Sequence, residues 1–184
     1  MSILLNGSLD LTLILEKAKA KHSAFSKSAK NGHIYFNITQ WVNDGVKLSR
    51  DPQAVLRGVS VDLKDMSDLV PTVAAVALFA QGASSISGVG FIRNKESDRL
   101  GDLAFELRKC DADVEVLEDG LRILPRLLCG ADLGTHHDHR LAMAFGLVAL
   151  KVSGVTVEDP EVVSKSWPMY WEMREQMLRS SDGR

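Results

Sequence analysis

The spacing of apolar residues along the chain changes repeatedly between the period of a helix and the two-residue period of a half-buried strand. Residues 34–38 alternate apolar and polar side chains, and the Asn-Asp-Gly string at 43–45 is typical of a hairpin turn. Leu100, Leu103 and Leu107 instead share one face of a helix. In chain order, the predicted elements are a helix at 11–18, a hairpin at 34–48, a strand at 59–63, a helix at 69–80, a strand at 86–89, a helix at 94–110, a hairpin at 114–123, a helix at 138–150, a strand at 155–157 and a helix at 167–178. This alternation predicts an α/β fold.

The second half of this series repeats the first after a shift of 70 residues. In that shift Asp68 coincides with Asp138, and Lys95 coincides with Lys165. Apolar positions of the helices coincide too, namely Ala74 with Ala144, Leu78 with Val148, Leu103 with Met173 and Leu107 with Met177. A period this long indicates a duplicated supersecondary unit rather than a solenoid repeat. We therefore expect stacked βαβαββ-like units whose helices are apolar enough to pack inside.

Composition narrows the class of protein. The chain has 184 residues, of which 45% are hydrophobic and 25% charged, as in a soluble globular domain. Its formal net charge is −2, so no whole-chain basic field exists to hold nucleic acid or an anionic membrane, and we expect neither partner. The nearly uncharged run 141–150 is about half as long as a membrane span and predicts a buried helix. No basic residues precede the first apolar run, so a signal peptide is not expected.

The two cysteines, Cys110 and Cys129, are too few for a disulfide framework and lie among apolar neighbours. They are therefore predicted to be buried free thiols. Free thiols fit a reducing, cytoplasmic location.

The densest polar cluster is the string from Arg93 to Arg99, at the start of a predicted helix. Lys95 and Arg99 are four residues apart, so on a helix they share a face beside its free N–H groups and could hold a phosphate or carboxylate. Glu96, among these cations, could act as a general acid or base toward an anionic substrate. The alternative is a capped helix with ordinary surface ion pairs.

Three further charged residues stand where predicted helices begin. Asp68 and Asp138 are each placed to cap a helix, and capping is the alternative to a catalytic role for both. Arg140 enters the most apolar helix of the chain, where a cation needs an anionic partner. This placement favours a bound ligand beside Arg140.

The string from His136 to His139 could suggest a metal site, but adjacent side chains diverge and no second ligand pair completes a coordination shell. We therefore expect no metal ion. The chain also lacks the glycine-rich phosphate loops of nucleotide-binding enzymes and the Gly-x-Ser-x-Gly elbow of serine hydrolases. These absences argue against a nucleotide cofactor and against serine-hydrolase chemistry.

Four strings, in this order along the chain, together resemble one family. They are Ser67-Asp-Leu-Val-Pro-Thr72, Lys95-Glu-Ser-Asp-Arg-Leu100, His137-Asp-His-Arg-Leu-Ala-Met143 and Ser164-Lys-Ser-Trp-Pro168. The resemblance is to the EPSP synthases (3-phosphoshikimate 1-carboxyvinyltransferases), the enolpyruvyl transferases of aromatic amino-acid synthesis. It covers residues 45–178 as a C-terminal enolpyruvyl transferase domain. Residues 1–44, a predicted helix and hairpin, resemble the family weakly or not at all, and residues 179–184 are expected to be a disordered tail.

The resemblance implies an inside-out α/β domain, with helices packed inside and sheets outside. It implies transfer of the enolpyruvyl group of phosphoenolpyruvate to the 5-hydroxyl of shikimate 3-phosphate, with release of phosphate and without a metal or organic cofactor. Asp68 would take the hydroxyl proton, and Glu96 would deliver a proton to the methylene carbon and later remove one. The binding residues implied are Asp68 and Lys95 for shikimate 3-phosphate, and Arg99, Asp138, His139, Arg140 and Lys165 for phosphoenolpyruvate.

The chain departs from the family pattern in two ways. Phe91 stands where the family usually has an Asn that contacts the shikimate phosphate. The family's enzymes are two-domain proteins, and the chain has no counterpart of their early Lys and Arg, their Gly-Asn-Ala-Gly loop or their Ser-Ala-Gln triplet. The resemblance therefore implies a C-terminal portion that is inactive alone, whether from a truncated gene, a split subunit or an excised piece. Such a portion could pair with a separate N-terminal half or associate with itself.

Two other functions stand beside this one. The first is a non-catalytic module that uses the inherited basic pocket to bind small phosphorylated acids or a protein partner. The second is the sister reaction on a UDP-sugar of cell-wall synthesis. It is disfavoured because the Lys-Glu-Ser-Asp-Arg and Asp-His-Arg strings belong to the shikimate branch.

Overall fold

The computed structural model describes residues 2–6, 37–42, 45–49 and 55–182, and the chain divides into two compact units, residues 1–57 and 58–184. This division falls further along the chain than Gly45, where the resemblance suggested that a domain begins. The predicted helix at 11–18 lies outside the described residues.

The first unit contains a three-stranded antiparallel sheet. Its strands are β1 (Ser2–Asn6), β2 (Asn37–Val42) and β3 (Gly45–Ser49), in the spatial order β1-β3-β2. The pairing of β2 with β3, with Val42 opposite Gly45, confirms the predicted hairpin. Strand β1 was not predicted, because a short apolar run does not by itself distinguish a strand from other structure.

The second unit alternates strands and helices, which confirms the α/β class. Its strands are β4 (Ser60–Asp62), β5 (Ser84–Ser87), β6 (Asp113–Leu117), β7 (Gly120–Leu124), β8 (Asp132–Leu133) and β9 (Thr156–Val157). Its α-helices are α1 (Val70–Ala77), α2 (Gly101–Lys109), α3 (His139–Val148) and α4 (Tyr170–Asp182), and its 3₁₀ helices are Lys64–Leu69, Gly90–Asn94 and Pro160–Lys165.

The 70-residue repeat of the sequence reappears in the order of these elements. The series β4, α1, β5, 3₁₀ helix, α2 recurs as β8, α3, β9, 3₁₀ helix, α4. Strand β4 pairs parallel with β5, and β8 pairs parallel with β9. The hairpin of β6 and β7 then extends the first sheet, in the order β4-β5-β7-β6. The expected supersecondary unit is thus present in the tertiary structure.

Helices α1 and α3 pack together and form much of the interior of this unit. Helix α3 buries seven of its ten residues. Along β6, Asp113 is exposed, Val114 is buried and Glu115 is exposed, so the sheet turns one face to the helices and one to solvent. Helices inside and a sheet outside is the arrangement that the family resemblance implied.

Helices α1 and α4 have other ends than the sequence predicted. Helix α1 ends at Ala77, because the N–H groups of Phe79 and Ala80 bond three residues back rather than four and tighten its last turn. Helix α4 begins at Tyr170 and runs to Asp182, so most of the predicted tail is helical.

The start of α2 is the largest correction. The helix was expected from Asn94 but begins at Gly101, because the side chain of Asp98 accepts the Gly101 N–H at 3.0 Å. A Cβ at position 101 would lie too close to the Asp98 carboxylate, so a larger residue there would make this side chain shift. Residues 95–99 are consequently not helical.

The two cysteines lie in different environments. Cys110 is buried, as expected, but Cys129 is exposed, so the prediction of a second buried thiol is wrong. Among the described residues, no helix is long and apolar enough to cross a membrane.

Candidate functional site

The side chain of Arg99 is the centre of the polar site. It is only 1% exposed, and its guanidinium donates to three carboxylates. Nε donates to Asp138 at 2.8 Å, Nη1 to Asp68 at 3.2 Å, and Nη2 to Glu96. Four of the predicted site residues are therefore held together by one buried cation.

The carboxylate of Asp138 caps α3 and also binds the Arg99 guanidinium. One oxygen accepts the Arg140 backbone N–H at 2.8 Å and so caps α3, while the other accepts from Arg99 and from Ser97 Oγ at 3.3 Å. Burial alone would raise the pKa of Asp138, but the hydrogen bonds from Arg99 and from the Arg140 N–H outweigh it and hold that pKa below its ordinary value. Asp138 is therefore a fixed anion, with both oxygens engaged by the protein.

The carboxylate of Asp68 is 52% exposed and bridges two guanidinium groups. One oxygen accepts from Arg99 and the other from Arg140 Nη2 at 2.9 Å. Helix α1 has no side-chain cap, so the capping alternative for Asp68 is wrong. Asp68 instead connects the two repeats, and it faces solvent.

The beginning of α3 offers polar atoms that no protein group satisfies. Among the described residues, the buried atoms Arg140 Nε and His139 Nδ1 have no hydrogen-bond partner. Burial, together with the nearby Arg140 charge, lowers the pKa of His139, so its ring is neutral near pH 7. The positive end of the helix dipole adds to this field. These features suit an anion at the N-terminus of α3.

The side chain of Lys165, at the end of the 3₁₀ helix Pro160–Lys165, lies near the start of α3. Its Nζ donates to the His137 carbonyl at 3.2 Å. The charges of both Lys165 and Glu96 act on the pKa of His139. The bond to the His137 carbonyl places Lys165 next to the start of α3.

The expectation that Lys95 and Arg99 share a helix face is wrong. They lie on the non-helical segment before α2, with Lys95 exposed and Arg99 buried. Within the described part of the chain, the Lys95 ammonium has no ion-pair partner.

The three histidines of the His136–His139 string do not converge. His136 Nε2 bonds Glu106 at 2.9 Å, His137 is exposed, and His139 is buried beside Arg140. In the described ranges no three His, Cys, Asp or Glu side chains are grouped to hold a metal ion.

Two residues at the site were not predicted. Ser97 bonds Asp138, and Glu106 on α2 is a buried carboxylate that bonds His136. Glu106 is next to the apolar Leu107 in the sequence and one helical turn from Leu103. A charged residue among these apolar neighbours was the signal that could have identified it.

Comparison with known proteins identifies relatives of this chain. Residues 14–173 match the family described as EPSP synthase (3-phosphoshikimate 1-carboxyvinyltransferase), so the match begins well before Gly45. The 3-phosphoshikimate 1-carboxyvinyltransferase of Nostoc punctiforme is 36% identical over 167 residues, which is 88% of this chain and 39% of that protein. The enzyme of the same name from Syntrophobacter fumaroxidans is 44% identical over 139 residues, which is 74% of this chain and 32% of that protein.

Solved structures agree with the sequence comparison. The EPSP synthase of Acinetobacter baumannii superposes with a TM-score of 0.65 at 28% identity, over 72% of this chain and 32% of that one. The enolpyruvyl transferase NikO of Streptomyces tendae superposes with a TM-score of 0.62 at 20% identity, over 87% of this chain and 35% of that one, which shows a common fold. The chain spans about a third of the length of the relatives it matches. On the extent of the family match and these identities, the chain belongs to the EPSP synthase (3-phosphoshikimate 1-carboxyvinyltransferase) family.

Proposed function

We propose that this chain carries the catalytic carboxylates and the anion-binding residues of an enolpyruvyl transferase. In the proposed reaction, the enolpyruvyl group of phosphoenolpyruvate moves to the 5-hydroxyl of shikimate 3-phosphate, and phosphate is released. The observation that carries this proposal is the cluster around Arg99, which gathers Asp68, Glu96 and Asp138 beside Arg140. Family membership supplies the reaction type.

Addition followed by elimination needs two carboxylates in different roles. Asp68 accepts the proton of the attacking hydroxyl, whose oxygen bonds to the central carbon of phosphoenolpyruvate, while Glu96 protonates the methylene carbon. In the second step phosphate leaves and Glu96 takes a proton back from the methyl group. Both side chains are partly exposed, 52% for Asp68 and 40% for Glu96, so a substrate can reach them.

The phosphate and carboxylate of phosphoenolpyruvate need fixed positive charge. The start of α3 supplies it through the unsatisfied Arg140 Nε, the helix dipole and Lys165. Lys95, exposed and unpaired among the described residues, is available to shikimate 3-phosphate. Asp138 and Arg99 hold one another and orient the groups that touch substrate.

We propose that activity also needs the N-terminal half of the family's enzymes, because this chain matches only about a third of its relatives' length. The partly exposed Asp68 and Glu96 mark the face that such a half would cover. The free thiols of Cys110 and Cys129 support a cytoplasmic location for this assembly.

Complementation tests the proposal. The chain is mixed with the purified N-terminal portion of the Nostoc punctiforme relative, and phosphate release is followed with phosphoenolpyruvate and shikimate 3-phosphate. We expect release from the mixture and from neither part alone, and a loss of release with Asp68→Asn. Glu115→Gln, on the solvent face of β6, serves as a control and should keep full activity. If the mixture is inactive while both parts are folded, the proposed catalytic function is wrong.

A second candidate is a non-catalytic module for small phosphorylated acids. The unsatisfied donors at the start of α3 favour it, because they belong to this chain and need no other part. Calorimetry measures the binding of phosphoenolpyruvate, shikimate 3-phosphate and inorganic phosphate to the chain. Together with the complementation assay, it distinguishes the two functions. Binding that Arg140→Ala abolishes, without activity in the mixture, identifies the binding module.

A further inference from the structure

A buried carboxylate outside the proposed mechanism lies next to the site. Glu106 on α2 is 2% exposed. It accepts the Gly134 backbone N–H at 2.7 Å, hydrogen-bonds His136 Nε2 at 2.9 Å and pairs with Lys109 Nζ at 2.7 Å. Burial alone would raise the pKa of Glu106, but these three partners outweigh it and lower that pKa. Glu106 is therefore a fully engaged anion in the interior.

Two of the three partners of Glu106, Gly134 and His136, belong to an unusual turn. His136 and His137 have φ angles of 50° and 57°, so two successive residues other than glycine are in the left-handed region. Such residues are uncommon, and a pair of them persists only where the surroundings hold it. Glu106 bonds this turn at Gly134 and again at His136, on both sides of Thr135.

The same turn leads directly to the anion-binding residues. The Asp138 N–H bonds the Thr135 carbonyl at 2.8 Å, and Asp138 then caps α3. The His137 carbonyl, within the left-handed pair, accepts from Lys165 Nζ. The positions of Arg140 and Lys165 relative to each other therefore depend on the turn that Glu106 holds.

We propose that Glu106 is a positioning residue. By holding residues 134–137, it places Arg140 and Lys165 so that both bind the same anion. This inference rests on the proposed function, because it concerns the affinity of the same site. A purely structural Glu106 would change the stability of the fold and leave anion affinity intact while the protein stays folded.

Phosphate affinity and amide exchange test the proposal at a temperature where every variant is folded by circular dichroism. Glu106→Ala removes all three contacts, and Glu106→Gln keeps an oxygen that can accept the Gly134 N–H. We expect Glu106→Ala to weaken binding of inorganic phosphate at least about tenfold, the effect of losing one hydrogen bond to a charged group, and Glu106→Gln to recover much of that loss. Exchange of the Asp138 and Arg140 amides should accelerate in parallel.

Two further variants keep the test decisive. Ile123→Val is a destabilising control in the buried core of β7, a strand that pairs with β5 and β6, and should leave phosphate affinity unchanged. His136→Ala, at an exposed position, removes one contact of Glu106 and should weaken phosphate binding by a smaller factor even if Glu106→Ala does not fold. Equal phosphate affinity and equal exchange in the wild type, Glu106→Ala and His136→Ala would overturn the proposal.

The two proposals fail separately. If the wild type binds neither phosphate nor phosphoenolpyruvate, the anion site at the start of α3 and the positioning role of Glu106 are both wrong, and complementation still decides the proposed reaction. If the wild type binds phosphate and the Glu106 variants bind equally well, only the positioning role is wrong.

Discussion

One guanidinium, that of Arg99, binds three carboxylates at the candidate site. A buried charge is stable only when it is paired, and Arg99 and Asp138, 1% and 0% exposed, satisfy each other. Arginine suits this place because its planar group presents several donors in fixed directions, whereas a lysine presents a single charged centre. The partners of Arg99 come from three separate segments of the chain, so a single side chain organises the site.

Replacing Arg99 should cost more stability than replacing any surface arginine. Arg99→Met leaves Asp138 buried without its main partner, and we expect the free energy of unfolding to fall by about 3–5 kcal/mol. Denaturant unfolding measures this change. Arg122→Met, which loses only an exposed pair with Glu115, is the control and should change stability by less than about 1 kcal/mol. Equal effects of the two substitutions would contradict the central position of Arg99.

His139 should make stability depend on pH in a defined window. Burial, and then the Arg140 charge, lower its folded pKa below the ordinary 6.5. The unfolded chain therefore binds a proton first as pH falls, so the contribution of His139 to stability is complete above pH 6.5 and is lost as pH falls from there toward the folded pKa. Denaturant unfolding as a function of pH measures this slope. His139→Gln should remove part of it.

At the scale of elements, the start of α2 decides where the segment from Lys95 to Arg99 lies. The string from Lys95 to Arg99 has the composition of a helical first turn, and periodicity alone extends the helix back to Asn94. The bond between Asp98 and the Gly101 N–H instead begins the helix at Gly101. The segment before it is thereby free to bury Arg99 and expose Glu96.

Loss of the Asp98 cap should loosen this segment. Asp98→Ala removes the acceptor of the Gly101 N–H and an ion-pair partner of Arg93, and should lower the free energy of unfolding by about 1 kcal/mol. It should also weaken phosphate binding. Asp113→Ala, on the exposed face of β6, provides the comparison and should change neither quantity. Thermal unfolding measures the change in stability, and calorimetry measures phosphate binding. If Asp98→Ala behaves like Asp113→Ala in both measurements, the role given to the bond between Asp98 and the Gly101 N–H is wrong.

On the scale of the whole molecule, the site is formed where two repeats meet. Asp68 belongs to the first repeat and Arg140 to the second, 72 residues apart, and a hydrogen bond joins them. A ligand anion bound at the start of α3 would contact Arg140 and Lys165, both of the second repeat. Binding to the folded state alone raises stability in proportion to the logarithm of ligand concentration.

Phosphate should therefore stabilise the molecule. At a phosphate concentration of about 100 times the dissociation constant, the free energy of unfolding should rise by roughly 2.7 kcal/mol, visible as a higher melting temperature. Chloride at the same ionic strength controls for screening. Arg140→Ala should abolish the phosphate effect, and Arg122→Ala should retain it. A phosphate effect that survives in Arg140→Ala would place the anion elsewhere.

The sequence by itself determined the class of the fold, the order of most elements and the 70-residue repeat, because periodicity and turn residues such as those at 43–45 act over short distances. It also determined the family, since four motif strings occur in the right order. Only the tertiary structure decided that Arg99 is buried against Asp68 and Asp138, which lie 31 and 39 residues away. It likewise decided that Glu106 holds the turn at His136. Such contacts depend on how distant segments pack, and the spacing of residues along one chain does not specify which of them will meet.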